Sequence, residues 1–380
     1  MHIMARSSWI RGPFFDGFFM LSGLWLAPVA LYLGETEGNP ESGLMDDIYL
    51  VLSALFWVGH GASSAYMAYC TTAYRPLLST QRTRVVWVPL GICLAVFAFL
   101  VPEGAWPWPR ADRLMALVIV DFLLVTYHFA AQHYGVLSLY RVRAGQPRTR
   151  AAKLVDRAFA LVVGGALVIV VDALIGTESF QNVWLYTWAS PDDLDAVWDR
   201  LPVAGTSVVS LGTMVLVAME LRTGRASLPR MLYLLSISVV VLTAFWVHPF
   251  VFVVLWTVQH WTAAMGLAVV VAQGNPDPGP SLWYRFWHRV NARPWRVLVF
   301  LMLASTALLP VMEVEAVDAG ARYSQRLFPW VADALRTSPL VPALVALGFV
   351  TAFLHYQLDR AVFRLSDPEV REAAGAMLRS

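Results

Sequence analysis

The sequence predicts an all-α, polytopic integral membrane bundle of about ten transmembrane helices, with both termini cytoplasmic. Three observations lead there. Of 380 residues, 58% are hydrophobic and 14% charged, with a mean hydropathy of +0.58, whereas a soluble domain carries about 25% charge. Apolar stretches of about 20 residues, the length that crosses a bilayer, recur along the whole chain. The basic residues then divide between the ends of those stretches as the positive-inside rule requires.

Ten stretches qualify: 14–33, 48–74, 85–101, 114–140, 154–175, 203–219, 231–247, 249–272, 297–311 and 340–363. The first follows Arg6 and Arg11 and lacks a small-residue cleavage site, so it reads as a retained anchor. The seventh and eighth are parted only by His248 and Pro249, a tight turn at the membrane surface. With the N-terminus inside, Arg110, Arg113, Arg200, Arg322, Arg326 and Arg336 fall outside, and the other 22 of the 28 basic residues fall inside. A nine-span reading would scramble that division.

Two connections are more than turns. The external stretch 177–201 sets Trp184, Trp188 and Trp198 among acidic residues and is expected to lie on the outer surface. The cytoplasmic stretch 281–296, SLWYRFWHRVNARPWR, alternates aromatic and basic residues. It is expected to form an interfacial helix, with its rings among headgroups and its arginines near anionic lipid. The chain reads as a single transmembrane domain, 1–380, multi-pass in the cell membrane. A net charge of +2 argues against a nucleic-acid partner. Cys70 and Cys93, in or beside apolar runs, imply no disulfide framework. There is no internal repeat, Walker loop, GxSxG elbow or CxxC pair.

Ionisable groups inside a bilayer are costly and mark function by default. Of eight histidines, His60, His128, His133, His260 and His355 lie within predicted spans. Counting back from the cytoplasmic ends at 1.5 Å per residue places His60 and His260 at about 22 Å, His128 at about 20 Å, and His133 and His355 at about 12–13 Å. Four helices thus supply one slab. Asp121, His128 and Gln132 share a helix face, whereas His133 stands about 140° round from His128 and needs a kink or π-bulge to join it. His355 and Asp359, four residues apart, also share a face, which suits a carboxylate that orients a ligand. His60 lies between Gly59 and Gly61, where the backbone is slim. Neutral imidazoles in a dry setting suit a first-row transition metal, while magnesium or calcium would require more carboxylates. A bis-histidine haem b electron carrier and the proton relay of a transporter stay open on these residues alone.

Four stretches, GHGASSAY (59–66), YHFAAQHY (127–134), WTVQHW (256–261) and LHYQLDRAVFR (354–364), resemble a known set in the same order. They are similar to the motifs PHGxxD, IHFxxxDx, HxxxH and PHxxxxDxxFR of the membrane-embedded β-carotene dioxygenases of the Brp/Blh type. The resemblance implies a non-haem iron (Fe2+) oxygenase that uses molecular oxygen on a hydrophobic polyene, isoprenoid or lipid. It implies His60, His128, His260 and His355 as metal ligands. His133 is then a further candidate ligand, with Asp359 and Gln132 in support, and Phe129, Trp256 and Trp261 are expected along a substrate tunnel. Ser64 and His133 stand where the motifs carry an acid, and Trp256 stands where the third motif begins with histidine. The HxxHH clusters of membrane desaturases do not occur.

Overall fold

A computed structural model describes residues 8–37, 43–147, 149–167, 191–274, 281–312 and 326–378. All regular structure among them is helical. In chain order the helices are α1 (Pro13–Phe19), α2 (Ser22–Thr36), α3 (Leu44–Cys70, with a π-helical segment at Ser53–Trp57), α4 (Leu77–Thr80), α5 (Thr83–Leu100), α6 (Arg110–Arg143) and α7 (Arg150–Leu161, followed by a π-helical segment at Val162–Ala166). There follow α8 (Pro191–Arg222), α9 (Leu228–Trp246), α10 (Pro249–Gln273), α11 (Leu282–Asn291), α12 (Pro294–Met312), α13 (Pro329–Arg336), α14 (Val341–Val362), α15 (Pro368–Ala373) and α16 (Gly375–Leu378).

Seven of the described helices are long and apolar enough to cross a membrane, or nine if each bent pair counts as one span. The seven overlap seven of the ten predicted stretches, and the two bent pairs overlap the first and the ninth. The fifth, 154–175, begins in α7, and its part beyond residue 167 lies outside the described residues, as does 177–190 of the outer segment. Residues 191–201 of that segment form the start of α8. The first predicted span is two helices bent by 50° rather than one. Asp16 explains the interruption: its carboxylate accepts from the backbone N–H of Ile10 at 2.7 Å and from Tyr140 Oη at 3.0 Å. Its backbone carbonyl accepts from both Met20 and Leu21. The helix expected over 281–296 forms as α11 and meets α12 at 106°. Apolar faces remain bare on several spans, with Leu94, Leu211 and Leu303 all more than 60% exposed, as lipid-facing positions are.

The chain packs as two units, one chiefly of Met1–Tyr49 and Thr126–Ala263, the other of Leu50–Val125 and Ala264–Arg379. In the first, α9 packs against α2 and α8. Gly23 permits the α2 approach, since a Cβ there would stand 2.7 Å from Val240 Cγ2 and 2.8 Å from Ser236 Oγ. Small hydroxyl side chains tie the helices of this unit, as membrane interfaces favour: Ser22 Oγ on α2 lies 2.8 Å from Thr262 Oγ1 on α10, and Thr213 Oγ1 on α8 lies 2.6 Å from Ser238 Oγ on α9. At one end of this unit a buried charge network joins four helices, α6, α7, α8 and α9. Asp156 accepts from Arg141 Nε and Nη2 at 3.1 and 2.9 Å and pairs with Arg230, which also pairs with Glu220.

In the second unit α3 packs against α12 and α14, and α14 against α5. A Cβ at Gly59 would sit 2.5 Å from the Leu301 carbonyl oxygen, so glycine lets the α12 backbone come close. The π segment of α3 displaces carbonyls from the regular ladder, and Thr306 Oγ1 donates to that of Ala54 at 3.0 Å. Helix ends are closed by long side chains: Arg113 donates to the Phe99 and Pro102 carbonyls, and Tyr74 Oη donates to that of Val362 at 2.8 Å. Val96, Leu100, Phe349, Val350 and Phe353 form an apolar core among these helices.

Candidate metal centre

Four imidazoles, those of His60, His128, His260 and His355, are all buried and offer one ring nitrogen each, and these atoms lie within 4.8 Å of one another. Four buried histidines can hold a metal ion here.

On α3 the π segment ends at Trp57, three residues before His60. The Trp57 carbonyl lies 2.6 Å from His60 Nδ1. A carbonyl only accepts, so Nδ1 carries the hydrogen and Nε2 keeps the lone pair a metal needs. His60 and the α14 residue His355 meet edge to face, with centroids 4.5 Å apart at 80°. Ser64, one turn after His60, places its Oγ 3.1 Å from His355 Nδ1 and donates to Asp359 Oδ1. A hydroxyl that donates to a carboxylate accepts from the ring. Hence the proton of His355 also sits on Nδ1, and Nε2 carries the lone pair. Carboxylate, hydroxyl and imidazole form one chain.

His128 on α6 and His260 on α10 make a second edge-to-face pair, with centroids 4.8 Å apart at 87°. Phe129 stacks on His260 at 3.6 Å and on Trp256 at 3.9 Å. Trp256 and His260 are four residues apart and share a helix face, so one ring covers both and limits rotation of the imidazole. Gln132 Nε2 donates to the His260 backbone carbonyl at 3.0 Å.

His133 goes elsewhere. Its Nδ1 lies 3.0 Å from Tyr233 Oη, and its ring packs so closely on Gly164 that a Cβ there would meet Cδ2 at 2.7 Å. The group of four does not include it, because α6 remains an α-helix throughout and has no bulge to turn His133 toward His128. Asp121 likewise accepts from Tyr356 Oη at 3.1 Å. Trp261 stacks on Tyr49 at 5.9 Å. His248 is exposed at its turn and accepts from the Phe250 N–H at 3.2 Å. Sequence reasoning passed over Ser64 as a lost acid and gave Tyr233 no role.

The fold and the site define a class: an all-helical chain with spans suited to a membrane and a buried four-histidine group. No protein-family model, curated protein or solved structure matches the chain.

Proposed function

We propose that this chain is a membrane-embedded non-haem iron oxygenase acting on a hydrophobic polyene, isoprenoid or lipid, with the iron held by His60, His128, His260 and His355. The observation that carries this reading is the convergence of four buried imidazoles, two of them held through Nδ1 by the Trp57 carbonyl and the Ser64 hydroxyl. The donor set fits: imidazole without carboxylate suits iron, copper or zinc and is poor for magnesium or calcium. Haem offers only two axial positions to protein ligands, so four convergent histidines favour a bare ion over haem b. The motif resemblance to the Brp/Blh-type dioxygenases supports iron and a polyene-like substrate.

Bound iron supplies oxygen activation. The chain's own residues orient and exclude. Trp57 and the Ser64–Asp359 pair hold the tautomers of His60 and His355, while Phe129 and Gln132 steady His260. The buried setting keeps water from the reacting groups, and a multi-pass position in the cell membrane, with ten spans and both termini cytoplasmic, gives lateral access to a lipid-soluble substrate. Iron per chain in the purified protein tests this. About one equivalent is expected, with no intense Soret absorption, and most of it is lost in each of His60→Ala, His128→Ala, His260→Ala and His355→Ala. His133→Ala and His248→Ala keep it. Wild-type iron content in the four core variants refutes the site.

A further inference from the structure

Away from the histidines, the second unit holds a cavity of about 440 Å³ lined by Arg75, Pro76, Leu78, Ser79, Arg82 and Tyr284. Two separate parts of the chain build it: the α3–α5 connection supplies both arginines, and helix α11 supplies the tyrosine. The positive-inside division assigned both connections to the cytoplasmic side independently, and the structure brings them to one place. Helix α11 is pinned there. Trp283 Nε1 donates to the Tyr69 carbonyl at 2.9 Å, Asn291 Nδ2 donates to that of Cys70 at 3.1 Å, and Tyr66 Oη donates to Asn291 Oδ1.

The charge in this cavity is uncompensated. The Arg75 guanidinium lies over the Tyr284 ring, 5.1 Å from its centroid, a contact that fixes the group without neutralising it. Neither Arg75 nor Arg82 has an acidic partner among the described residues. The nearby acids are engaged by others: Asp367 pairs with Arg84 at 3.2 Å, and Glu369 accepts from Thr80 at 2.5 Å and from Gln81 at 3.3 Å. Beside the cavity, α11 leaves Leu282, Trp283 and Phe286 exposed at 77%, 52% and 56%. Such rings sit at headgroup level in a bilayer.

We propose that this cavity binds a phosphate group, that of an anionic phospholipid headgroup or of a soluble phosphate ester, between Arg75 and Arg82. Two guanidiniums match phosphate geometry, and the exposed rings of α11 would lie against acyl chains when the ligand is a lipid. Nothing in this depends on metal or on oxygenase activity.

The test uses the full chain in a neutral detergent, titrated calorimetrically with dioctanoyl phosphatidic acid, dioctanoyl phosphatidylcholine and glycerol 3-phosphate. Phosphatidic acid should bind at least about tenfold more tightly than phosphatidylcholine, weakening about fivefold in each of Arg75→Gln and Arg82→Gln and more in the double variant. Arg364→Gln, another exposed basic site, should bind as wild type. In the wild type, raising salt should weaken phosphatidic acid more than phosphatidylcholine. A clear preference for phosphatidic acid over glycerol 3-phosphate identifies a lipid site, and equal affinity identifies a soluble phosphate ester. Undiminished binding in the double variant, or no preference over phosphatidylcholine, overturns the proposal.

Discussion

Ser64→Ala removes one hydroxyl and cuts the chain from His355 to Asp359 at its middle. In the structure that hydroxyl lies 3.1 Å from His355 Nδ1 and donates to Asp359 Oδ1, so two bonds go together. Groups that orient a metal-bound histidine typically contribute 10–100-fold to metal affinity, or about 1.4–2.7 kcal/mol. His355 itself remains, so the loss should stop well short of that in His355→Ala. The assay is competition with a chelator of known affinity, with retained metal read per chain. Ser63→Ala is the control: its hydroxyl, also buried and next in sequence, donates only to the His60 carbonyl within α3, at 2.6 Å. That variant should hold metal as the wild type does. If Ser64→Ala retains metal undiminished, or if Ser63→Ala loses as much, the relay does not orient a ligand.

Three further outcomes follow from the packing and the chemistry. Gly59→Ala sets a methyl 2.5 Å from the Leu301 carbonyl oxygen; the obstacle is backbone, so a loss of about 1–3 kcal/mol is expected in denaturation, and an unchanged midpoint would show that α12 can give way. Arg230→Met takes from Glu220 the guanidinium it pairs with and leaves Asp156 with Arg141. Such breaks cost about 3–5 kcal/mol, and Arg230→Met with Glu220→Leu should recover part of it; no recovery would mean that the arginine acts by packing alone. Metal occupancy should fall on dialysis from pH 7.5 to pH 5, since each imidazole must be neutral to donate and protons compete with the ion. Occupancy indifferent to pH would point to ligands other than histidine.

The spans were legible because an apolar run of about 20 residues is a strong signal that needs no long-range information. Their interruptions were not. The π segments at Ser53–Trp57 and Val162–Ala166 sit in largely apolar runs, so no periodicity betrays a slip in register. The bend after Phe19 depends on Asp16 meeting the Ile10 and Arg11 amides and the Tyr140 hydroxyl, the last 124 residues away. A buried Asp in a first span signals a partner, but it does not name one.

The site shows the same division between what a helix dictates and what the tertiary fold decides. Depth counting selected five histidines, and angular spacing alone already set His133 apart from His128. The long regular α6 keeps that angle, and His133 turns to Tyr233 and Gly164. Ser64 illustrates the opposite case. Read along the chain, it is a motif position that has lost its acid, with nothing local to restore the function. In the fold, Asp359, 295 positions later, reaches the same hydroxyl, so the carboxylate acts on His355 through Ser64. The i, i+4 spacing of His355 and Asp359 suggested a direct pairing, but their closest approach is 3.9 Å. Ser64 stands between them as acceptor from one and donor to the other. Ser64 needs no charge of its own because the carboxylate comes from α14, and the hydroxyl provides a proton to donate to Asp359 and a lone pair to face the ring.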